Sequence, residues 1–173
     1  NDARVIRLRT FSKGYGMAGA RVGYALGHKT LISAFNRVRN HFGMSRISQA
    51  GALEALADQD WLGDVCDKVE AARTTLYQIA EDNGLKAMPS ATNFVAIDCG
   101  QDGEFARAVL NALIDMGIFV RMPFVAPQDR CIRISCGTPK DMTLVAKALP
   151  KALAQASGQV LGKTLFGSGS QKT

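Results

Sequence analysis

The chain reads as an α/β protein on three observations. Short apolar runs of strand length, at residues 5–11, 22–26, 93–98, 118–122 and 131–135, are separated by segments whose apolar residues recur at helical spacing. Glycine, proline and Asn or Asp fall at the junctions, where a chain must cap a helix or turn. At 173 residues the chain is long enough for one ordinary domain or parts of two, with a substantial core.

In chain order, residues 5–11 predict a strand that breaks into small residues, and residues 22–26 predict a second short strand. Residues 29–40 predict a helix with Leu31, Phe35 and Val38 on one side, interrupted by His41-Phe42-Gly43. Ser45 is placed to cap the next helix, which carries Ile47, Ala50, Leu53 and Leu56 to about Asp58. From Asp60 the stripe Trp61, Val65, Val69, Ala72, Leu76, Ile79 keeps a helical period until Asn83-Gly84, a good C-terminal cap. Trp61 on that stripe reads as a packing residue.

The remainder predicts a compact α/β layer. Residues 93–98 form a strand, Asp102 caps a helix over 103–116, and strands follow at 118–122 and 131–135 with a proline-containing loop between them. Thr138-Pro139-Lys140-Asp141 opens the last helix with a cap, a proline at the first helical position and an acid in the first turn. Pro150 is expected to kink or divide that helix, because proline lacks the N–H and crowds the preceding turn. From Ser157 the apolar period fades into Gly, Ser and Lys, which predicts a mobile tail.

The formal charge is +6 and is unevenly placed, with nine Lys or Arg and no acid between residues 3 and 53. These cations are spread over a strand, a glycine turn and a helix, with no basic stripe interleaved with aromatics, so a nucleic-acid partner is not expected. Cys66, Cys99, Cys131 and Cys136 show no CxxC pairing and no histidines at metal spacing, and read as buried reduced thiols rather than metal ligands. No signal peptide and no apolar run of bilayer length is present, so a cytoplasmic protein without a membrane partner is expected.

Chemistry concentrates at Thr10-Phe11-Ser12-Lys13-Gly14-Tyr15-Gly16-Met17-Ala18-Gly19-Ala20-Arg21-Val22-Gly23. A lysine among small and apolar residues beside fixed cations has reason to lose its proton near neutral pH, and a neutral amine forms a Schiff base with a carbonyl. The hydroxyls of Thr10 and Ser12, free backbone N–H groups and the Arg21 guanidinium can grip a phosphate dianion. An amine beside a phosphate grip suggests pyridoxal phosphate. Gly14, Gly16 and Gly19 also spell GxGxxG, the dinucleotide fingerprint, but that fingerprint needs an acid about 20 positions on. Arg39 stands there, and no Asp or Glu occurs between Asp2 and Glu54.

The stretch resembles the lysine signature of the fold-type I aminotransferases, roughly (S/T)xSKxxGxxGxRxG, and most closely the histidinol-phosphate aminotransferase branch. The resemblance implies that Lys13 is the Schiff-base lysine and that Thr10, Ser12 and Arg21 hold the cofactor phosphate. It also implies the C-terminal part of a fold-type I large domain over residues 1–60 and a joining helix over 61–84. A small C-terminal α/β domain over 85–157 and a flexible tail over 158–173 complete the expectation. A subunit of that family is about twice this length, so the chain is read as a C-terminal half. The aspartate that pairs with the pyridine nitrogen, the ring-stacking aromatic and part of the phosphate cradle would lie upstream.

Arg133, in Cys131-Ile132-Arg133-Ile134-Ser135, puts a charge on a strand whose neighbours are core residues, and its planar fork suits a carboxylate. The alternative is a structural salt bridge. The run 132–138 resembles the family's (L/I)R(I/V)(S/T)xGT segment, which implies that Arg133 binds the substrate α-carboxylate. Arg121, in Gly117-Ile118-Phe119-Val120-Arg121, matches G(I/V)xVR, with an active-site role and a plain edge-strand charge both open. Asn93 matches SxxNF and is expected to hold a turn. The segment 39–46, Arg39-Asn40-His41-Phe42-Gly43-Met44-Ser45-Arg46, departs from the branch's proline- and asparagine-containing loop, which puts the substrate rather than the chemistry in doubt.

The resemblance therefore implies a homodimeric aminotransferase moving an amino group between an amino acid and a 2-oxo acid. Arg39, His41, Arg46 and Arg121 favour a substrate with a distal anion, such as histidinol phosphate. A decarboxylase of the threonine-phosphate type shares the lysine signature, and a non-enzymatic rival is the aminotransferase-like sensor domain of a transcription regulator. The α-oxoamine synthases usually lack the arginine eight residues after the lysine.

Overall fold

Two antiparallel sheets carry the chain's α/β character in a computed structural model that describes residues 2–166. The chain divides into two compact units, residues 1–67 and 68–173. In the first, β1 (Ile6–Thr10) pairs antiparallel with β2 (Gly23–Gly27) in the register Ile6↔Gly27 to Thr10↔Gly23. Helices α1 (Lys29–Val38) and α2 (Arg46–Ala57) follow, and α3 (Gln59–Asp82) runs through the division between units.

Local chemistry explains the helix ends. Ser45 Oγ accepts the Ser48 N–H at 3.0 Å and caps α2 as its position predicts. The cap of α1 is His28, whose ring nitrogen accepts from Thr30 N; histidine is an uncommon cap, and the sequence did not flag it. At the end of α3, Gly84 sits at φ +66°, its N–H reaches Glu81 O at 2.9 Å, and Leu85 N–H reaches Ala80 O at 2.9 Å. These two bonds satisfy carbonyls that the helix itself leaves open.

In the second unit, β3 (Lys86–Ala87), β4 (Phe94–Asp98) and β5 (Cys131–Ser135) form an antiparallel sheet in that spatial order. Helices α4 (Gly103–Asp115) and α5 (Pro139–Phe166) complete it. Strand alternation sorts the sheet's two faces. Val95 pairs with Ile134 and Ile97 with Ile132, and all four are buried with Leu76, Val109, Leu113 and Leu149 in one core. The opposite face carries the rows Phe94↔Ser135, Ala96↔Arg133 and Asp98↔Cys131. Each fully buried Leu or Ile of that core stabilises the fold by about 1.5–3 kcal/mol.

Four expectations need correction. Residues 118–122 do not form a strand: only Arg121 bridges to Arg133, in a segment held between the Gly117 turn, φ +79°, and Pro123, which has no N–H to continue a ladder. Pro150 does not divide α5, which is one helix from Pro139 to Phe166, anchored by buried Leu149, Ala152 and Ala156. That helix also continues past residue 158, where a tail was expected; residues 167–173 lie outside the described residues. Cys66 is exposed, because it lies off the apolar stripe of α3. Among the described residues no helix is long and apolar enough to cross a membrane, and no group of three potential ligands could hold a metal ion.

Candidate functional site

Lys13 lies in the loop between β1 and β2. Phe11 N–H donates to Val22 O at 3.3 Å and extends the strand pair by one residue, so Ser12 and Arg21 begin and end the loop. Phe11 is the anchor. It is buried against Val22 and Ala52, with the Tyr15 ring 4.9 Å and the Tyr24 ring 5.7 Å away. Met17 N–H returns to Phe11 O at 3.0 Å, and Gly16 N–H closes a turn on Lys13 O at 2.9 Å. Gly16 has φ +68°, a conformation glycine adopts without steric cost.

Two longer-range bonds pin this loop. Ser48 Oγ on α2 donates to Ala20 O at 2.7 Å, and Trp61 Nε1 on α3 donates to Gly14 O at 3.3 Å. Neither partner was identified from sequence, where Trp61 reads simply as packing and Ser48 as a helix residue. No local pattern announces a hydrogen bond between residues 28 or 47 positions apart. Gly23 supplies the closest approach: a Cβ there would lie 2.6 Å from Arg9 O, so the strands are as near as only glycine allows.

Lys13 itself is exposed at the turn, with no acid paired to it among the described residues. Thr10 Oγ1 and Ser12 Oγ are 2.9 Å apart, and Ser12 N–H donates to Thr10 Oγ1 at 3.1 Å. The pair brings two hydroxyl oxygens together beside the lysine and leaves the Ser12 proton for an outside acceptor. Arg21 is exposed in the left-handed region, φ 50° and ψ 48°, and its guanidinium donates to Ala18 O at 2.7 Å. A left-handed arginine is strained by about 1–3 kcal/mol, and such strain is found where a ligand clamp needs it. Hydroxyls and a guanidinium fit a phosphate, and an accessible amine fits a carbonyl, so this donor set suits pyridoxal phosphate.

The second unit places Arg121 opposite Arg133. Their backbones exchange both hydrogen bonds, Arg121 N–H to Arg133 O at 3.1 Å and Arg133 N–H to Arg121 O at 2.6 Å. Residues paired this way project from the same face, and like charges directly opposite repel. Neither guanidinium has a carboxylate partner among the described residues. Asp98, one row away on the same sheet face, accepts Arg130 Nε at 2.9 Å and Gly100 N–H at 2.8 Å on its Oδ1. The salt-bridge alternative for Arg133 is therefore not what the structure shows. Its guanidinium lies 4.6 Å from the centroid of Phe94, and that of Arg121 lies 5.9 Å from Phe119.

Asn93 holds its turn through its backbone, whose carbonyl accepts Cys136 N–H at 2.9 Å, while the side-chain work falls to Ser90 and Thr92. Arg39 Nε donates to Asn36 Oδ1 at 3.0 Å, and Arg39, His41 and Arg46 are all exposed. Burial pushes the Cys99 thiol up to about 12, and raises Cys131 and Cys136 from the ordinary thiol value by the same cause.

The family described as aminotransferase class I and II matches residues 1–149. A histidinol-phosphate aminotransferase of Geobacillus sp. (strain WCH70) is 36% identical over 148 residues, covering 86% of this chain and 40% of the relative. Histidinol-phosphate aminotransferase 1 of Hydrogenovibrio crunogenus is 38% identical over 151 residues, covering 84% and 41%. The crystal structure of histidinol-phosphate aminotransferase from Sinorhizobium meliloti, in complex with pyridoxal-5'-phosphate, superposes with a TM-score of 0.84. It shares 54% identity, over 89% of this chain and 42% of that one. The chain thus spans about two fifths of the length of the curated relatives it matches.

Proposed function

The chain belongs to the aminotransferase class I and II family, and from that premise we propose that it is the C-terminal portion of a pyridoxal-phosphate-dependent aminotransferase. Its large-domain part would be residues 1–60, its joining helix 61–84 and its small domain 85–157. One observation carries this reading. An exposed lysine, without an acid partner among the described residues, follows the paired Thr10–Ser12 hydroxyl couple and shares its loop with a left-handed arginine.

In this reading Thr10, Ser12 and Arg21 hold the cofactor phosphate. Lys13 Nζ would hold the cofactor through its carbonyl carbon, and as a free amine it would take up the proton of the substrate Cα. The cofactor, when bound, supplies an aldehyde for the amino group and a ring that withdraws electrons. Arg133 binds the α-carboxylate through its fork, and Arg121 adds positive potential on the same sheet face. In the first unit Arg39, His41 and Arg46 are exposed, which favours as substrate an amino acid with a distal anion, histidinol phosphate among them, exchanged against a 2-oxo acid. Identity to aminotransferases favours transamination over the decarboxylation expected of a threonine-phosphate-type enzyme.

Exposed Phe35, Val38, Phe42, Ile47 and Leu53 in the first unit support a homodimer of the longer polypeptide, to be checked by its sedimentation mass. The decisive experiment for the lysine is borohydride reduction of the longer polypeptide with its cofactor, followed by peptide mapping. A pyridoxyl adduct is expected at Lys13. An adduct on any other lysine would end the assignment.

A further inference from the structure

We propose that Phe94 is a positioning residue for carboxylate recognition, holding the Arg133 guanidinium on its ring, and that Tyr77 and Ser90 fix that ring in place. The inference rests on the reading of Arg133 as the carboxylate ligand. Phe94 and Arg133 share the sheet face opposite the core, one row apart, since Ala96 and not Phe94 is paired with Arg133. The small side chain of Ala96 leaves the guanidinium room to lean across to the ring, where it stands 4.6 Å from the centroid. Leaning the other way would bring it to the Asp98 row, but Asp98 is held by Arg130 and Gly100.

A cation on an aromatic face is held without spending a hydrogen bond. The five N–H donors of Arg133 stay available for an oxyanion, which a salt bridge would have consumed. An arginine side chain carries much rotamer freedom, and restricting it beforehand lowers the entropy lost on binding.

The main chain that carries the ring is in turn tied to α3 through Ser90 and Thr92. Ser90 N–H donates to the Tyr77 hydroxyl at 2.9 Å, and Ser90 Oγ donates to Phe94 O at 2.7 Å. Thr92 Oγ1 reaches the same carbonyl at 3.2 Å, and Arg73 of α3 donates to Thr92 O at 3.0 Å. Two hydroxyls on the Phe94 carbonyl and a tyrosine under the turn form a clasp that makes its position definite.

The test is made on the longer holoenzyme, with Phe94→Leu, Phe94→Tyr, Tyr77→Phe and Arg133→Ala. It reads KM and kcat for the amino donor and the dissociation constant of 2-oxoglutarate by calorimetry. Phe94→Leu should raise KM and the dissociation constant together by roughly five- to tenfold, the range a partly desolvated cation–aromatic contact supports, with kcat and cofactor absorbance little changed. Phe94→Tyr should restore both, and in the Arg133→Ala background Phe94→Leu should add nothing. If Arg133→Ala raises KM but Phe94→Leu does not, the ring is packing alone and the proposal is overturned. If Arg133→Ala leaves KM unchanged, the carboxylate reading of Arg133 fails first. Should Phe94→Leu lose cofactor, Tyr77→Phe decides: KM must rise about two- to threefold, in keeping with one lost hydrogen bond, and an unchanged KM refutes the clasp.

Discussion

Gly23→Ala attacks the lysine loop at its tightest point. A Cβ at residue 23 would lie 2.6 Å from Arg9 O, 3.6 Å from Thr10 Cα and 3.7 Å from Arg9 C. All three are backbone atoms, which cannot rotate aside as a side chain can, so β1 must retreat from β2 by the better part of an ångström. Overpacking of this kind costs about 1–3 kcal/mol, against about 0.4–1 kcal/mol regained because alanine restricts the unfolded chain. The net loss, up to about 2.6 kcal/mol, corresponds to a fall in Tm of up to about 10 °C for a chain of this length. Gly19→Ala is the matched control, since nothing lies within 4 Å of a Cβ there and only the unfolded-state gain remains. The assay is thermal unfolding of both variants by circular dichroism, with equilibrium dialysis of pyridoxal phosphate on the longer polypeptide. Gly23→Ala should melt below wild type and bind cofactor more weakly, because Thr10 moves with the strand; Gly19→Ala should do neither. A Gly23→Ala protein at least as stable as Gly19→Ala would show that the strands have slack at this point.

Three further outcomes follow from side-chain environments. Exposed Cys66 should react first with a thiol reagent in the native protein, while buried Cys99, raised to about 12, should react only on unfolding. Because that thiol ionises at 9.0 when unfolded, its contribution to stability is complete below pH 9.0 and is lost as pH rises toward 12; a flat alkaline stability profile would contradict this. Asp141 is held below its ordinary value of 3.8 by the Thr138 hydroxyl and then the Thr138 N–H, so the stability it lends is present above pH 3.8 and lost as pH falls through its lowered value. The gap in Tm between wild type and Asp141→Ala should therefore close at strongly acid pH; a gap that persists at pH 2 would show that uncharged contacts carry the cap. For substrate, histidinol phosphate, aspartate and glutamate should exceed phenylalanine and leucine in kcat/KM on the longer polypeptide; the reverse order would make Arg39, His41, Arg46 and Arg121 structural cations.

The lysine loop and the helix boundaries were legible because they are local. A lysine, two hydroxyls, glycines and an arginine at fixed spacing name a chemistry without any knowledge of distant neighbours. Ser45, Asp102, Thr138 with Asp141, Gly84 and Gly117 mark helix ends through bonds spanning three to five residues. Period-2 alternation likewise put Arg133 on the face away from Ile132 and Ile134, as the buried pairs Val95–Ile134 and Ile97–Ile132 require.

Tertiary structure decided what those residues touch. Arg133 has an acid, Asp98, within its own sheet, yet Asp98 pairs with Arg130 and the Arg133 guanidinium lies over Phe94. Residues 118–122 have strand composition, yet one bridge is all that forms, because pairing depends on where the following chain leads and not on propensity. Pro150 stays inside a continuous helix since the core contacts of Leu149, Ala152 and Ala156 outweigh one missing backbone bond. Ser48 and Trp61 grip the lysine loop across 28 and 47 residues of chain. Sequence spacing records bonds within a turn or two; bonds between elements arise only when burial brings them together.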